Sequence, residues 1–202
     1  MASIEHVTLE VDDPTAADRF YTAVLGSGNH VRVRAAEAPT SGFRGFTLSL
    51  VVSQPATANG FIDAATEAGG AVVKPAEKSL WGYGGVVQAP DGTIVTVASA
   101  SKKDTGPATR EIDELVLQLG VADVAASKRF YVDRGFDVAK SYGRRYVQFD
   151  SGPVTLALYK RRGLAKVSGV SPDGSGSHRI AVGSDAGPFT DPDGFEWEAT
   201  SG

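Results

Sequence analysis

The feature that most restricts this chain is an internal repeat. Ile4-Glu5-His6-Val7-Thr8-Leu9 recurs as Ile112-Asp113-Glu114-Leu115-Val116-Leu117. Asp18-Arg19-Phe20-Tyr21 recurs as Lys128-Arg129-Phe130-Tyr131, and Ala89-Pro90-Asp91-Gly92 recurs as Asp191-Pro192-Asp193-Gly194. The three pairs keep their order and nearly the same offset, as a duplication does and chance does not. We therefore expect two copies, 1–100 and 110–202, joined by a polar linker over 101–109 that carries Ser101-Lys102-Lys103-Asp104-Thr105-Gly106-Pro107.

Each copy has its own local grammar. His6 to Val11 alternates like a half-buried strand, and Asp13-Pro14 reads as an N-cap followed by proline at the first helical position. Ala17, Phe20, Tyr21 and Val24 then recur at helical spacing until Gly26. Asp123, Phe130, Tyr131 and Gly135 repeat this pattern. Phe46 to Val52 reads as a strand, and Thr57 to Ala68 as a helix stopped by Gly69-Gly70. Arg145–Asp150 and Val154–Tyr159 form a hairpin around Ser151-Gly152. Each Pro-Asp-Gly turns into a last strand, Val95–Ala98 or Glu196–Thr200. The fold class is α+β, with helices outside curved sheets. Both copies look abbreviated. The first has little room for a sheet between its first helix and Phe46, and the second has no room for a helix between Val182 and Asp191.

Composition narrows the chemistry. The 202 residues carry 20 lysines and arginines against 24 aspartates and glutamates, a net charge of −4 that argues against a nucleic-acid partner. No cysteine is present, which excludes disulfides, thiolate catalysis and cysteine-ligated metal. No apolar run approaches the roughly 20 residues that cross a bilayer. The start of the chain has no basic segment leading into an apolar one, so a cytoplasmic location is expected.

A first strand with I-[DE]-x-V/L-x-L, a helix carrying Phe-Tyr and a closing Asp-Pro-Asp-Gly-x-x-x-Glu resemble the vicinal oxygen chelate superfamily, which includes glyoxalase I, bleomycin-resistance proteins and extradiol dioxygenases. The resemblance implies tandem paired βαβββ modules in open, cup-shaped sheets. It also implies a divalent metal (Zn, Ni, Mn or Fe) and no organic cofactor. Carried over by position, the metal ligands fall on Glu114, His178 and Glu198, with Glu198 also the catalytic group and Leu156 unable to fill the fourth place. Phe46 and Thr96 leave the first copy with His6 alone. His6, Trp81, Tyr83 and Tyr159 are the candidates for binding substrate. Two readings result. One is a metal-dependent lyase, isomerase or dioxygenase acting on a small molecule with adjacent oxygens. The other is a metal-free drug- or metabolite-binding protein. Either form would be a monomer or homodimer with a small-molecule ligand.

Overall fold

A computed structural model of the chain describes residues 1–200. The first half contains β1 (Ile4–Val11), α1 (Pro14–Leu25), β2 (Val31–Ala35), β3 (Thr40–Gly42), β4 (Phe46–Val51), α2 (Pro55–Glu67), β5 (Ala71–Ser79), β6 (Gly82–Gln88) and β7 (Ile94–Ser99). The second half contains β8 (Glu114–Val121), α3 (Val124–Val132), β9 (Asp137–Tyr142), β10 (Tyr146–Asp150), β11 (Val154–Lys160) and α4 (Arg161–Val167). It ends with β12 (Gly174–Gly176), β13 (Ile180–Ser184), β14 (Phe189–Thr190) and β15 (Glu196–Ala199). The N-caps of α1 and α3 are those read from the sequence, whereas α2 starts at Pro55 rather than Thr57 and α3 ends at Val132, before Gly135. Asp13 accepts the Ala16 N–H at 3.0 Å, and Asp123 accepts those of Ala125 and Ala126 at 2.9 and 3.1 Å.

Three sheets form, of eight, five and two strands. The eight-stranded sheet runs β5-β6-β7-β4-β8-β11-β10-β9. It consists of two complete βαβββ modules, β4–β7 with α2 and β8–β11 with α3. In each, the helix carries the chain across the sheet to its far edge, and an antiparallel meander brings the last strand back beside the first and parallel to it. The five-stranded sheet, β14-β15-β13-β1-β2, is assembled from two incomplete modules. The first keeps β1, α1 and β2, again parallel neighbours, and the fourth keeps β13, β14 and β15 with no helix. The third sheet is a ribbon in which β12 pairs with β3.

Each large sheet draws strands from both sides of 101–109. β4 pairs antiparallel with β8 from Phe46↔Leu119 to Val51↔Glu114, and β1 pairs antiparallel with β13. The second module thus shares a sheet with the third, and the first shares one with the fourth. Segment 101–109 is also tied down. The buried Gln54 side chain takes the Thr105 and Gly106 N–H groups and donates to the carbonyls of Gly106 and Pro107.

One core lies between the two sheets and their helices. Val7 and Leu9 of β1, Leu48 and Leu50 of β4, and Leu117 and Leu119 of β8 all point into it. The duplication is visible in its polar pins as well. Tyr21 donates to Asp91 at 2.8 Å and Tyr131 to Asp191 at 2.6 Å, each next to an edge-to-face phenylalanine, Phe20 or Phe130. With odd-numbered β8 residues in the core, the even-numbered ones face outward, and this alternation creates the candidate site.

Candidate functional site

The outward face of the eight-stranded sheet is a cup of about 850 Å³. Its two halves differ in side-chain size. The second module contributes Ser49, Gly82, Gly84, Thr96 and Ala98 with the larger Val86, so that half of the floor carries mostly small side chains. The third module contributes Gln118, Tyr142, Tyr146, Gln148 and Tyr159. Cross-strand register makes the tyrosines a row, with Tyr142 opposite Tyr146 and Tyr146 opposite Tyr159. Their ring centroids are 5.9 and 4.9 Å apart, within the range of attractive aromatic pairs. Trp81, 86% exposed at the tip between β5 and β6, stands on the opposite rim. Lys74 and Lys140 also line the cup.

Polar groups on the floor are chained together. Thr47 donates to the Gln118 carbonyl at 2.7 Å, and the Gln118 amide approaches the Tyr159 oxygen at 3.4 Å. Tyr146 donates to the Gln148 carbonyl at 2.7 Å. Gln148 donates to Glu114 at 3.2 Å, and Thr155 donates to the same carboxylate oxygen at 2.6 Å. Burial raises the phenol pKa of both Tyr146 and Tyr159, so both remain neutral hydroxyls in the physiological range.

The outward face of the five-stranded sheet holds a different set. The His6 ring lies over Gly183, where a Cβ would come within 2.3 Å of it. Gly183 is in turn the register partner of Glu198. Arg34 of β2 donates to Glu10 of β1 at 2.7 Å and to Glu198 of β15 at 2.6 Å. Strands β2 and β15 are three spacings apart, roughly 14 Å in a flat sheet, so the two long side chains reach across β1 and β13 to meet. Arg32 approaches His6 Nε2 at 3.2 Å. Burial, followed by the positive charge of Arg32, lowers the His6 pKa against the pull of Glu198.

The expected metal triad does not converge. Glu114 lies on the outward face of the eight-stranded sheet, behind the cup-lining Gln148, and Glu198 on the five-stranded face, because the third and fourth modules pair with different partners. His178 belongs to neither. Its Nδ1 meets the Arg44 carbonyl at 2.6 Å, its Nε2 meets the Asp193 carbonyl at 3.0 Å, and its ring stacks on Phe195 at 4.0 Å. It braces the Asp-Pro-Asp-Gly turn against the entry to β4. His178→Ala is expected to cost about 2–3 kcal/mol, or roughly 5–10 °C in Tm. Divalent metal should leave the parent's Tm unchanged, and a metal-dependent Tm lost in the variant would overturn this bracing role. Leu156, assigned to the fourth ligand place, is buried in the core. Tyr83 lies on a wall strand, but its hydroxyl donates to Asn59 of α2 at 2.7 Å, which turns the ring toward the helix.

Scanned by sequence, the chain matches no protein-family model and no curated protein. Structural comparison does find similar folds. Glyoxalase I from Zea mays superposes with a TM-score of 0.61 at 14% identity, covering 98% of this chain and 92% of that one. The chain has the vicinal oxygen chelate fold. A candidate dioxygenase from Bacillus subtilis shares the vicinal oxygen chelate fold with it at a TM-score of 0.55 and 14% identity, over 90% of this chain and 69% of that one.

A divalent metal needs several anionic or imidazole donors around one point, and the described residues do not offer them. In the five-stranded face, guanidinium groups already sit among the donors. Arg34 holds both Glu10 and Glu198, and Arg32 is next to His6. Behind the cup, Glu114 accepts hydrogen bonds from one hydroxyl, Thr155, and one amide, Gln148. Among the described residues, no group of three His, Asp or Glu side chains is placed to hold an ion. Nor is any described helix long and apolar enough to cross a membrane.

Sequence reasoning named Tyr159 and Trp81 but missed Tyr142, Tyr146, Gln118 and Gln148. The signal for the first two was available. Reading Arg145–Tyr159 as a hairpin around Ser151-Gly152 already brings Tyr146 close to Tyr159, and the observed register sets them opposite. A second turn at Gly143 then brings in Tyr142.

Proposed function

We propose that this protein binds a small, planar organic molecule in the eight-stranded cup, without a metal. The observation that carries the reading is the asymmetry of the cup, with a row of three tyrosines facing a half built mostly of small residues, Ser49, Gly82, Gly84, Thr96 and Ala98 beside Val86. A flat ring can lie on the small-residue half with its edge or face against the tyrosines, burying apolar area on both sides. Two polar points, the Tyr146 and Tyr159 hydroxyls, then fix its orientation, as a mostly apolar site with a few placed polar groups does. The scarcity of charge on the floor suits a neutral ligand better than an oxyanion gripped by a Lewis acid. Two lysines, Lys74 and Lys140, against one lining carboxylate, Glu77, leave tolerance for a weakly acidic substituent. The enzymatic alternative, a metal-dependent lyase or dioxygenase, lacks its ligand set.

A thermal-shift screen of planar aromatic compounds, run with and without EDTA, tests this. A ligand at a hundred times its Kd contributes about 2.7 kcal/mol, roughly 5–10 °C for a chain of this size. Hits should keep their shift in EDTA and lose it in Tyr146→Ala. Shifts abolished by EDTA, or undiminished in Tyr146→Ala, would overturn the proposal.

A further inference from the structure

Glu114 was expected to ligate a metal, and its surroundings give it another task. A carboxylate can only accept hydrogen bonds. The two side chains against Glu114 Oε1, the Thr155 hydroxyl at 2.6 Å and the Gln148 amide at 3.2 Å, must therefore both donate. That requirement fixes which way the Gln148 amide points, since the flipped rotamer would set its carbonyl against the carboxylate. With its NH₂ on Glu114, Gln148 presents its carbonyl to Tyr146, and the Tyr146 hydroxyl spends its only proton there at 2.7 Å. What Tyr146 has left for the cup is a lone pair. Burial, then the neighbouring Tyr159 and the negative charge of Glu114, raise the Tyr146 pKa, so the proton that anchors this relay is not lost near neutral pH.

Tyr159 is not fixed in this way. The amide facing it belongs to Gln118, whose other end meets a Thr47 hydroxyl at 2.7 Å, a group able to donate or accept. That pair can reverse, and Tyr159 can adapt to either kind of ligand atom. The two tyrosines therefore differ in freedom even though they are cross-strand neighbours. The difference arises in the single carboxylate beneath one of them.

Resting on the reading of the cup as a ligand site, we propose that Glu114 sets the hydrogen-bond polarity of the tyrosine row. It holds Tyr146 as a fixed acceptor, so the cup selects planar molecules that present an O–H or N–H group there. Glu114 is a positioning residue. It need not touch the ligand, and it acts through Gln148 and Tyr146.

A matched pair of probes, 2-naphthol and 2-methoxynaphthalene, isolates this effect because they share a ring system and differ in the donor hydrogen. Calorimetric titration of the parent should show 2-naphthol binding about fivefold more tightly. In Glu114→Ala the Gln148 amide is free to turn, and the preference should fall to within about twofold. Glu114→Asp should restore it at least in part. If Glu114→Ala does not fold, Glu114→Gln carries the same expectation, because its amide can meet Gln148 with either end. Equal affinities in the parent would overturn the proposal. So would an unchanged ratio in the variants, even with both affinities reduced, since that is the behaviour of a merely structural residue. Binding of neither probe to the parent would overturn the reading of the cup itself.

Discussion

Expressed separately, residues 1–100 and residues 110–202 will each fail to give a folded monomer. The β4–β8 ladder joins the halves at the centre of the eight-stranded sheet, with six register pairs between Phe46 and Val51 on one strand and Glu114 and Leu119 on the other. The β1–β13 ladder does the same for the five-stranded sheet. Cutting the chain converts both central positions into open edges whose inward faces carry Leu48, Leu50, Leu117 and Leu119, all buried in the intact protein. Exposed apolar edge strands recruit other chains, so aggregation is the expected fate of either half. Co-expression of both halves should recover a soluble one-to-one complex, because the interface is the native core. A half that purifies as a monomer with a sharp thermal transition would show that the ladders are dispensable.

Asp191→Ala should be among the most damaging single substitutions. This carboxylate is 5% exposed and accepts from the Tyr131 hydroxyl at 2.6 Å and from the N–H groups of Asp193 and Phe195 at 2.9 and 2.8 Å. Alanine strands all three donors, and a buried donor without a partner costs about 1–3 kcal/mol. The neighbours deepen the loss, because Tyr131 is the hub of an aromatic cluster with Phe136, Phe149 and Trp197. The expected total is about 3–5 kcal/mol, a fall of roughly 10–15 °C in Tm. Asp191→Asn keeps one acceptor oxygen and the side-chain volume. It also removes a charge that burial already disfavours, as the raised pKa of Asp191 indicates. It should therefore cost less than half as much. Equal losses in the two variants would mean that the site matters for packing alone.

Much of the local fold is legible in the sequence because its causes are local. Asp13 and Asp123 announce helix starts by their own side-chain chemistry, and the Pro-Asp-Gly and Ser-Gly pairs mark their turns. The omissions of the abbreviated modules can also be read, as missing length before Phe46 and after Val182. What cannot be read locally is which module shares a sheet with which. That choice is made by ladders between residues far apart in the chain, such as Ile4 with Ser184, and no spacing signal encodes it. Glu114, His178 and Glu198 were grouped because they lie in one copy, whereas the sheets group strands across copies. The Val-Arg-Val-Arg strand β2 was missed for a related reason. It is too short and charged to declare itself, and it is held by β1 and by the reach of Arg34 across the sheet.

The β13 register has one more consequence. Ser184 is paired with Ile4 on one side and with Ala199 on the other, so the first and last strands lie two spacings, roughly 10 Å, apart. Taken in order, the four modules form a ring that the polypeptide happens to open between the fourth and the first. A short bridge from Ala199 to Ile4, with a new opening within 101–109, would give the order third, fourth, first, second. The two partial modules would then be contiguous in the chain as they are in space, with no strand changing its neighbour. In this architecture the order of the modules along the chain is separable from their arrangement in space.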